Sequence, residues 1–359
     1  MVDTTKVQVL LVGSGGVGTI ASLALEQSHQ VEVTSVIRSD YDIVVEKGFT
    51  IESIDYGNLT GWRPTRVVKT VQEAVNVANG RPYDYIVVCT KVLPEIFKTE
   101  DLIRPAVQDA KTIIVLIQNG IDIEKSVSEA FPANVVLSGV SMIGSTNYGG
   151  KIVQFEHDKL GVGYYSSETT DSKHSKDQLE AEAKKFVDLY SVACKNCTYY
   201  PDLKRARWRK LVYNSTINTI CALTQVDTGR AYLSQLDHAL IYPAMAEIIT
   251  IAETALGEPL DKGIDKIMLE SDDGFYYKPS MQVDVDKGNP IEVEAILGNP
   301  LRTAKELNIK TPVLTVVYNL LRALQFRLME SRGYITVPEN PSRKVSAPLL
   351  EPTTLPIEP

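Results

Sequence analysis

Residues 6–18 read KVQVLLVGSGGVG, an apolar run of strand length that passes without a linker into glycines. Gly13, Gly15 and Gly18 fall on the three positions of a G-x-G-x-x-G turn. The first serves a tight turn, the second a close backbone approach to a pyrophosphate, and the third close packing of the next helix on the strand. Ser14, Gly16 and Val17 complete the loop, and a helix predicted over 16–28 would turn its free N–H groups and positive dipole end toward the phosphates. Glycine-rich turns are common in α/β proteins. The strand before this one and the helix after it are what make it a dinucleotide site.

Outward from that turn, short apolar runs at 31–37, 85–89, 112–117 and 135–142 alternate with amphipathic segments. One of these, 93–106, is expected to be a helix with Pro94 near its start. Strand alternating with helix predicts an N-terminal Rossmann-type, mostly parallel sheet covered on both faces. Residues 49–54 and 66–68 are expected to form a small antiparallel addition, and 151–163 a hairpin followed by a polar loop around 166–176. From about residue 179 the periodicity is helical, over 177–194, 202–224, 235–256, 291–307 and 312–331, with Pro243 and Pro300 expected to bend two of these helices. The expected division is an α/β unit over 1–200, an all-helical unit over 201–333, and an extended tail over 334–359 that holds six prolines.

Composition narrows the class. The 359 residues are 44% apolar and 23% charged, enough for a two-lobed globular core. A formal net charge of −8 and one isolated basic cluster, 204–210, argue against nucleic acid and against an anionic membrane surface. The apolar runs read as strand-sized, so no membrane span is expected. The first residues read as a strand and not as a signal peptide, which predicts a reducing, cytoplasmic setting. Of four cysteines, Cys194 and Cys197 form a lone CxxC without a second pair or clustered histidine, so inert thiols and no metal are expected.

Several polar residues fall just past predicted strand ends, where an open parallel sheet binds its ligands. Arg38 closes the second strand where NAD-preferring proteins carry an acid; a cation there matches a 2′-phosphate and predicts NADP(H), while Asp40 lies too far on to be the ribose acceptor. Lys91 is expected to reach cofactor or a substrate anion, and Asn119 to hold the nicotinamide end. In the second half, Lys210, Asn214 and Asn218 stand at i, i+4 and i+8 of one helix. Asn is a poor helix former, so an ammonium followed by two carboxamides suggests proton donation to an oxyanion and orientation of a polar substrate.

Taken together, the GSGGVG turn, CTK (89–91), IQNGI (117–121), WRKLVYNSTIN (208–218) and PSMQVDVDKGNPIEVE (279–294) resemble the ketopantoate reductase (2-dehydropantoate 2-reductase) family, over residues 7 to about 325 in the expected order. The resemblance implies a Rossmann domain joined to a helical domain like that of 6-phosphogluconate dehydrogenase, and NADPH-dependent reduction of ketopantoate to (R)-pantoate. It implies Lys210 as general acid, Asn119 near nicotinamide and substrate, and Asn214, Asn218 and Ser280 on the substrate's hydroxyl and carboxylate. Glu292 would contact the nicotinamide ribose and help set the environment of Lys210. The family often has another Asn after the catalytic helix, where Thr228 stands here. Reduction of other 2-keto acids, ketolactones or diketones therefore stays open, as does a non-catalytic NADP-binding sensor, with a homodimer as candidate assembly. A 6-phosphogluconate-type decarboxylation would want a larger cationic site.

Overall fold

The structure, a computed structural model, describes residues 6–166 and 174–339. Most of the expected 166–176 loop and the tail from residue 340 lie outside them. Among the described residues there are twelve strands: β1 (Val7–Val12), β2 (Val31–Val36), β3 (Phe49–Ser53), β4 (Gly57–Trp62), β5 (Arg66–Val68), β6 (Tyr85–Val88), β7 (Ile113–Leu116), β8 (Val136–Ser141), β9 (Ser145–Asn147), β10 (Lys151–Gln154), β11 (Lys159–Tyr164) and β12 (Asn196–Tyr199). Eight form one sheet in the order β12-β11-β8-β7-β6-β1-β2-β5. From β5 to β8 every pairing is parallel; β11 is antiparallel to β8, and β12 lies parallel to β11, so the last two strands run opposite to the rest. The near-continuous apolar sequence of β1 fits this place, since a central parallel strand is covered on both faces; Leu10 and Leu11 are fully buried, each contributing roughly 1.5–3 kcal/mol.

The chain leaves β1 toward β2 and β5 on one side, and later fills β6, β7 and β8 on the other. The switch point therefore lies between β1 and β6, and the crevice opens at the carboxyl ends there. A second sheet, β4-β3-β10-β9, packs on the helix Gly16–Gln27 through Ile20, Leu23, Phe49, Ile51 and Ile152.

Three local expectations are corrected. The segment 151–163 is not a hairpin, because β10 pairs with β3 and β9 in the small sheet while β11 pairs with β8 and β12 in the large one. Strand β5 is no antiparallel addition; it extends the main sheet parallel to β2, and of the two segments only 49–54 enters an antiparallel pair of the small sheet, β3 with β4. The helix expected over 93–106 is confined to Thr99–Ile103 and a 3₁₀ turn Arg104–Ala106, so Pro94 stands in a turn before it.

Among the described residues after β12 all regular structure is helical. Both Pro243 and Pro300 are preceded by a π turn, Asp237–Ile241 and Glu294–Gly298, since proline has no N–H to continue the i→i−4 ladder. The stretch Asp237–Leu256 is long and apolar enough to cross a bilayer, contrary to the strand-sized reading, but its Ala244, Met245, Ile248, Ile251 and Ala252 face is wholly buried in the helical core. Cys194 and Cys197 are buried too, and burial pushes the Cys194 thiol up to about 12, so it stays protonated and donates to the Asp158 carbonyl at 3.1 Å.

Candidate active site

The glycine turn is built by contact. Gly13 adopts φ +104°, and a Cβ there would lie 2.6 Å from the Thr90 nitrogen; a Cβ on Gly18 would land on the Gly13 carbonyl oxygen. Gly15 is different, with nothing within 4 Å of the Cβ position. That open space, at a helix start with no side-chain cap and no acid in its first turn, suits a pyrophosphate.

At the adenosine end, Arg38 stands exposed in the crevice wall with no hydrogen-bond or ion-pair partner among the described residues. Asp40 is occupied by Asn147, whose Nδ2 donates to it at 2.7 Å. Lys69, at the end of β5, lines the same wall, loosely paired with Asp42 at 3.4 Å and lying over the Tyr41 ring. The sequence reading missed Lys69 because it placed 66–68 outside the main sheet; once β5 is set beside β2, its strand end meets that of Arg38.

The two halves meet at Lys210. From the helix Leu203–Tyr213 its ammonium donates to Asn119 Oδ1 at 2.7 Å and to the Ser141 carbonyl at 2.5 Å. Burial pulls its pKa down to about 8; the charges of Arg207 and Lys91 act in the same direction and Glu292 opposes them. One turn earlier, Arg207 is 4% exposed and pairs with Glu124 at 2.7 Å, also donating to the carbonyls of Gln118 and Gly120. Read from sequence only as part of the isolated basic cluster 204–210, Arg207 is the peg that seats the helical half on the sheet. Gly120, at φ +103°, lets the Ala295 backbone approach; a Cβ there would lie 2.6 Å from the Ala295 oxygen.

Asn214, Asn218, Ser280 and Glu292 all line the crevice with Lys210, but their tasks divide. Asn214, in a π turn that continues the Lys210 helix, is 7% exposed and its carboxamide makes no hydrogen bond among the described residues, so it can serve a ligand. Asn218 is held at both ends, donating to Ser280 Oγ at 3.2 Å and accepting from the Met281 N–H at 2.8 Å. It therefore positions Ser280, whose proton stays available to the crevice. Lys91 also lines the crevice, where it pairs across the lobes with Asp284 at 2.7 Å and Glu292 at 3.4 Å. Glu292 also accepts the Val92 N–H at 3.0 Å. Thr228 is fully buried, with its hydroxyl on the Phe275 carbonyl and not in the crevice.

Two family models match the chain: "Ketopantoate reductase PanE/ApbA" over residues 9–167, and its C-terminal counterpart over 202–325. The chain belongs to the ketopantoate reductase family. An uncharacterized protein of Saccharomyces cerevisiae, YDL144C, is 38% identical over 92% of this chain and 97% of its own length. The structure of 2-dehydropantoate 2-reductase from Methylococcus capsulatus superposes with TM-score 0.74 at 32% identity, covering 90% of this chain and 98% of that one. D-mandelate dehydrogenase in a ternary structure with NADH and anilino(oxo)acetate shares the fold, at TM-score 0.75 and 19% identity, over 89% of this chain and 99% of that one. As a member of the ketopantoate reductase family the chain is an oxidoreductase with a nicotinamide cofactor site.

Proposed function

We propose that the protein reduces 2-dehydropantoate to (R)-pantoate with NADPH, in the cytoplasm. The carrying observation is the Lys210 ammonium, held between Asn119 and the Ser141 carbonyl in the crevice that begins at the glycine turn. When bound, the reduced nicotinamide supplies a hydride to the ketone carbon. The chain's own part is to hold the carbonyl and manage its charge. Lys210 faces the oxygen as it becomes an alkoxide, stabilises it and gives it a proton, a transfer favoured by a pKa near 8. Asn214 and the Ser280 hydroxyl offer hydrogen bonds to the substrate's hydroxyl and carboxylate. Asn119, through its bond to Lys210, fixes where the proton is delivered.

NADPH over NADH is favoured by two cations, Arg38 and Lys69, facing the adenosine end while Asp40 is engaged by Asn147. A homodimer fits the family, in which a ketopantoate reductase of Staphylococcus aureus is described as dimeric. A broader 2-keto acid reductase is the second reading. It is favoured by Thr228, which offers no group to the substrate, and by a crevice of about 1840 Å³.

Both readings are tested by NADPH oxidation with 2-dehydropantoate against a panel of 2-oxo acids. A kcat/KM at least about tenfold higher for 2-dehydropantoate supports the first, because a site built to bond a hydroxyl penalises substrates lacking it. Equal values support the second. In the same assay Arg38→Asp is expected to raise the KM for NADPH far more than that for NADH, since a 2′-phosphate then meets repulsion; an unchanged preference would move the discrimination to Lys69.

A further inference from the structure

One part of the crevice wall is used by none of these steps. Tyr213, three residues beyond Lys210 on the same helix, donates its hydroxyl to Asp272 Oδ2 at 2.5 Å. Asp272 is 8% exposed and lines the crevice, and its other oxygen accepts no hydrogen bond among the described residues. Beside it in the wall stand Glu156, Phe155 and Tyr277, the two rings meeting edge to face at 6.2 Å. This wall is fixed from behind. The Thr228 N–H donates to the Tyr277 carbonyl at 2.9 Å, and the Arg230 guanidinium lies 4.9 Å from the Tyr276 ring.

The charges are unbalanced. Burial raises the pKa of Asp272, and burial together with the Asp272 charge raises that of Glu156, which Lys159 offsets only in part. Apart from Lys159, the neighbouring cations are committed elsewhere, Lys278 to Asp286 at 2.6 Å and Arg209 to Asp261 at 2.7 Å, and the His157 ring is turned to Asp55 at 2.6 Å. Two carboxyl groups with a free oxygen, the buried Asp272 and the exposed Glu156, next to the rings of Phe155, Tyr213 and Tyr277 in a partly open wall, match a cation in both ways a protein can: direct charge pairing and attraction to ring faces.

Building on the proposed 2-keto acid reduction, we propose that this wall is a substrate subsite for a positively charged group carried a few bonds from the reducible carbonyl, with Asp272 and Glu156 as its charge partners. The same wall disfavours a second carboxylate on the substrate. The protein would then accept amino- or ammonio-substituted 2-oxo acids ahead of their neutral counterparts.

The test uses two probes that differ only in charge, 4-(trimethylammonio)-2-oxobutanoate and 5,5-dimethyl-2-oxohexanoate, with the full-length protein. NADPH oxidation is followed for both, and binding of both to the NADP⁺ complex is followed by calorimetry. The expected result is about a tenfold preference for the charged probe, in affinity and in kcat/KM, the combined scale of a partly exposed cation–aromatic contact and pairing with the buried Asp272. In Asp272→Asn, which keeps an oxygen for Tyr213, the ratio should fall to about twofold or less; Glu156→Gln should reduce it in part. Equal binding of the two probes, or a preference that survives Asp272→Asn, overturns the subsite. Binding preference decides the subsite, whereas failure of both probes and of 2-dehydropantoate to oxidise NADPH counts against the reductase reading instead.

Discussion

Lys210→Ala is expected to lower kcat by about 10²- to 10⁴-fold, the usual contribution of a positioned proton donor, with NADPH affinity nearly unchanged. The two effects separate because the Lys210 ammonium bonds Asn119 and the Ser141 carbonyl, while the glycine turn and Arg38 belong to other strand ends. Folding should survive the truncation. Leu211, Val212 and Ile217 are almost wholly buried and anchor the helix, and alanine is at least as good a helix former as lysine. The pH profile adds an independent sign. A general acid acts in its protonated form, so wild-type turnover should fall as pH rises through about 8, and that limb should be absent from the variant. Steady-state kinetics from pH 6 to 10 checks both; a variant that turns over at the parent rate removes Lys210 from the chemistry.

Glu124→Ala is expected to cost about 3–5 kcal/mol of stability, because it leaves the buried Arg207 guanidinium without its counter-charge. Both side chains are 4% exposed, so water cannot easily take the place of the carboxylate. Ser138 would lose a partner as well, since its hydroxyl donates to Glu124 and accepts from Arg207. The urea midpoint measures the loss. A cost under about 1 kcal/mol would mean that the carbonyls of Gln118 and Gly120 alone satisfy Arg207. The same substitution leaves a less compensated positive charge beside Lys210, so the alkaline limb of the pH profile should move to lower pH in whatever fraction folds.

What could be read from the sequence was local, and what could not was pairwise. The strand and helix around Gly13 and Gly18 are dictated by apolar content and by glycine at positions where a side chain would collide with backbone. The same holds for β6 and β7, whose buried runs lead to Lys91 and Asn119. Strands β10 and β11 failed as a hairpin because their alternation and the intervening turn look alike whichever partners they take; only the distant β3 and β8 decide it. Pattern placed Lys210, Asn214 and Asn218 in the crevice, but not the division in which Asn214 is open and Asn218 holds Ser280. Arg207 was hidden by its neighbours: in a run of Lys and Arg, nothing in sequence marks the cation that is buried against Glu124. Asp272 carried no signal, since its meaning depends on Tyr213 across 59 positions.

The most direct test of the proposed chemistry follows the transferred hydrogen itself. Incubating the protein with 2-dehydropantoate and NADPH deuterated at both C4 positions of the nicotinamide should yield (R)-pantoate one mass unit heavier, with the deuterium on the carbinol carbon. Pantoate lacking the label, or a protein that binds NADPH and forms no product from any 2-oxo acid, would contradict hydride transfer and leave a binding protein in its place.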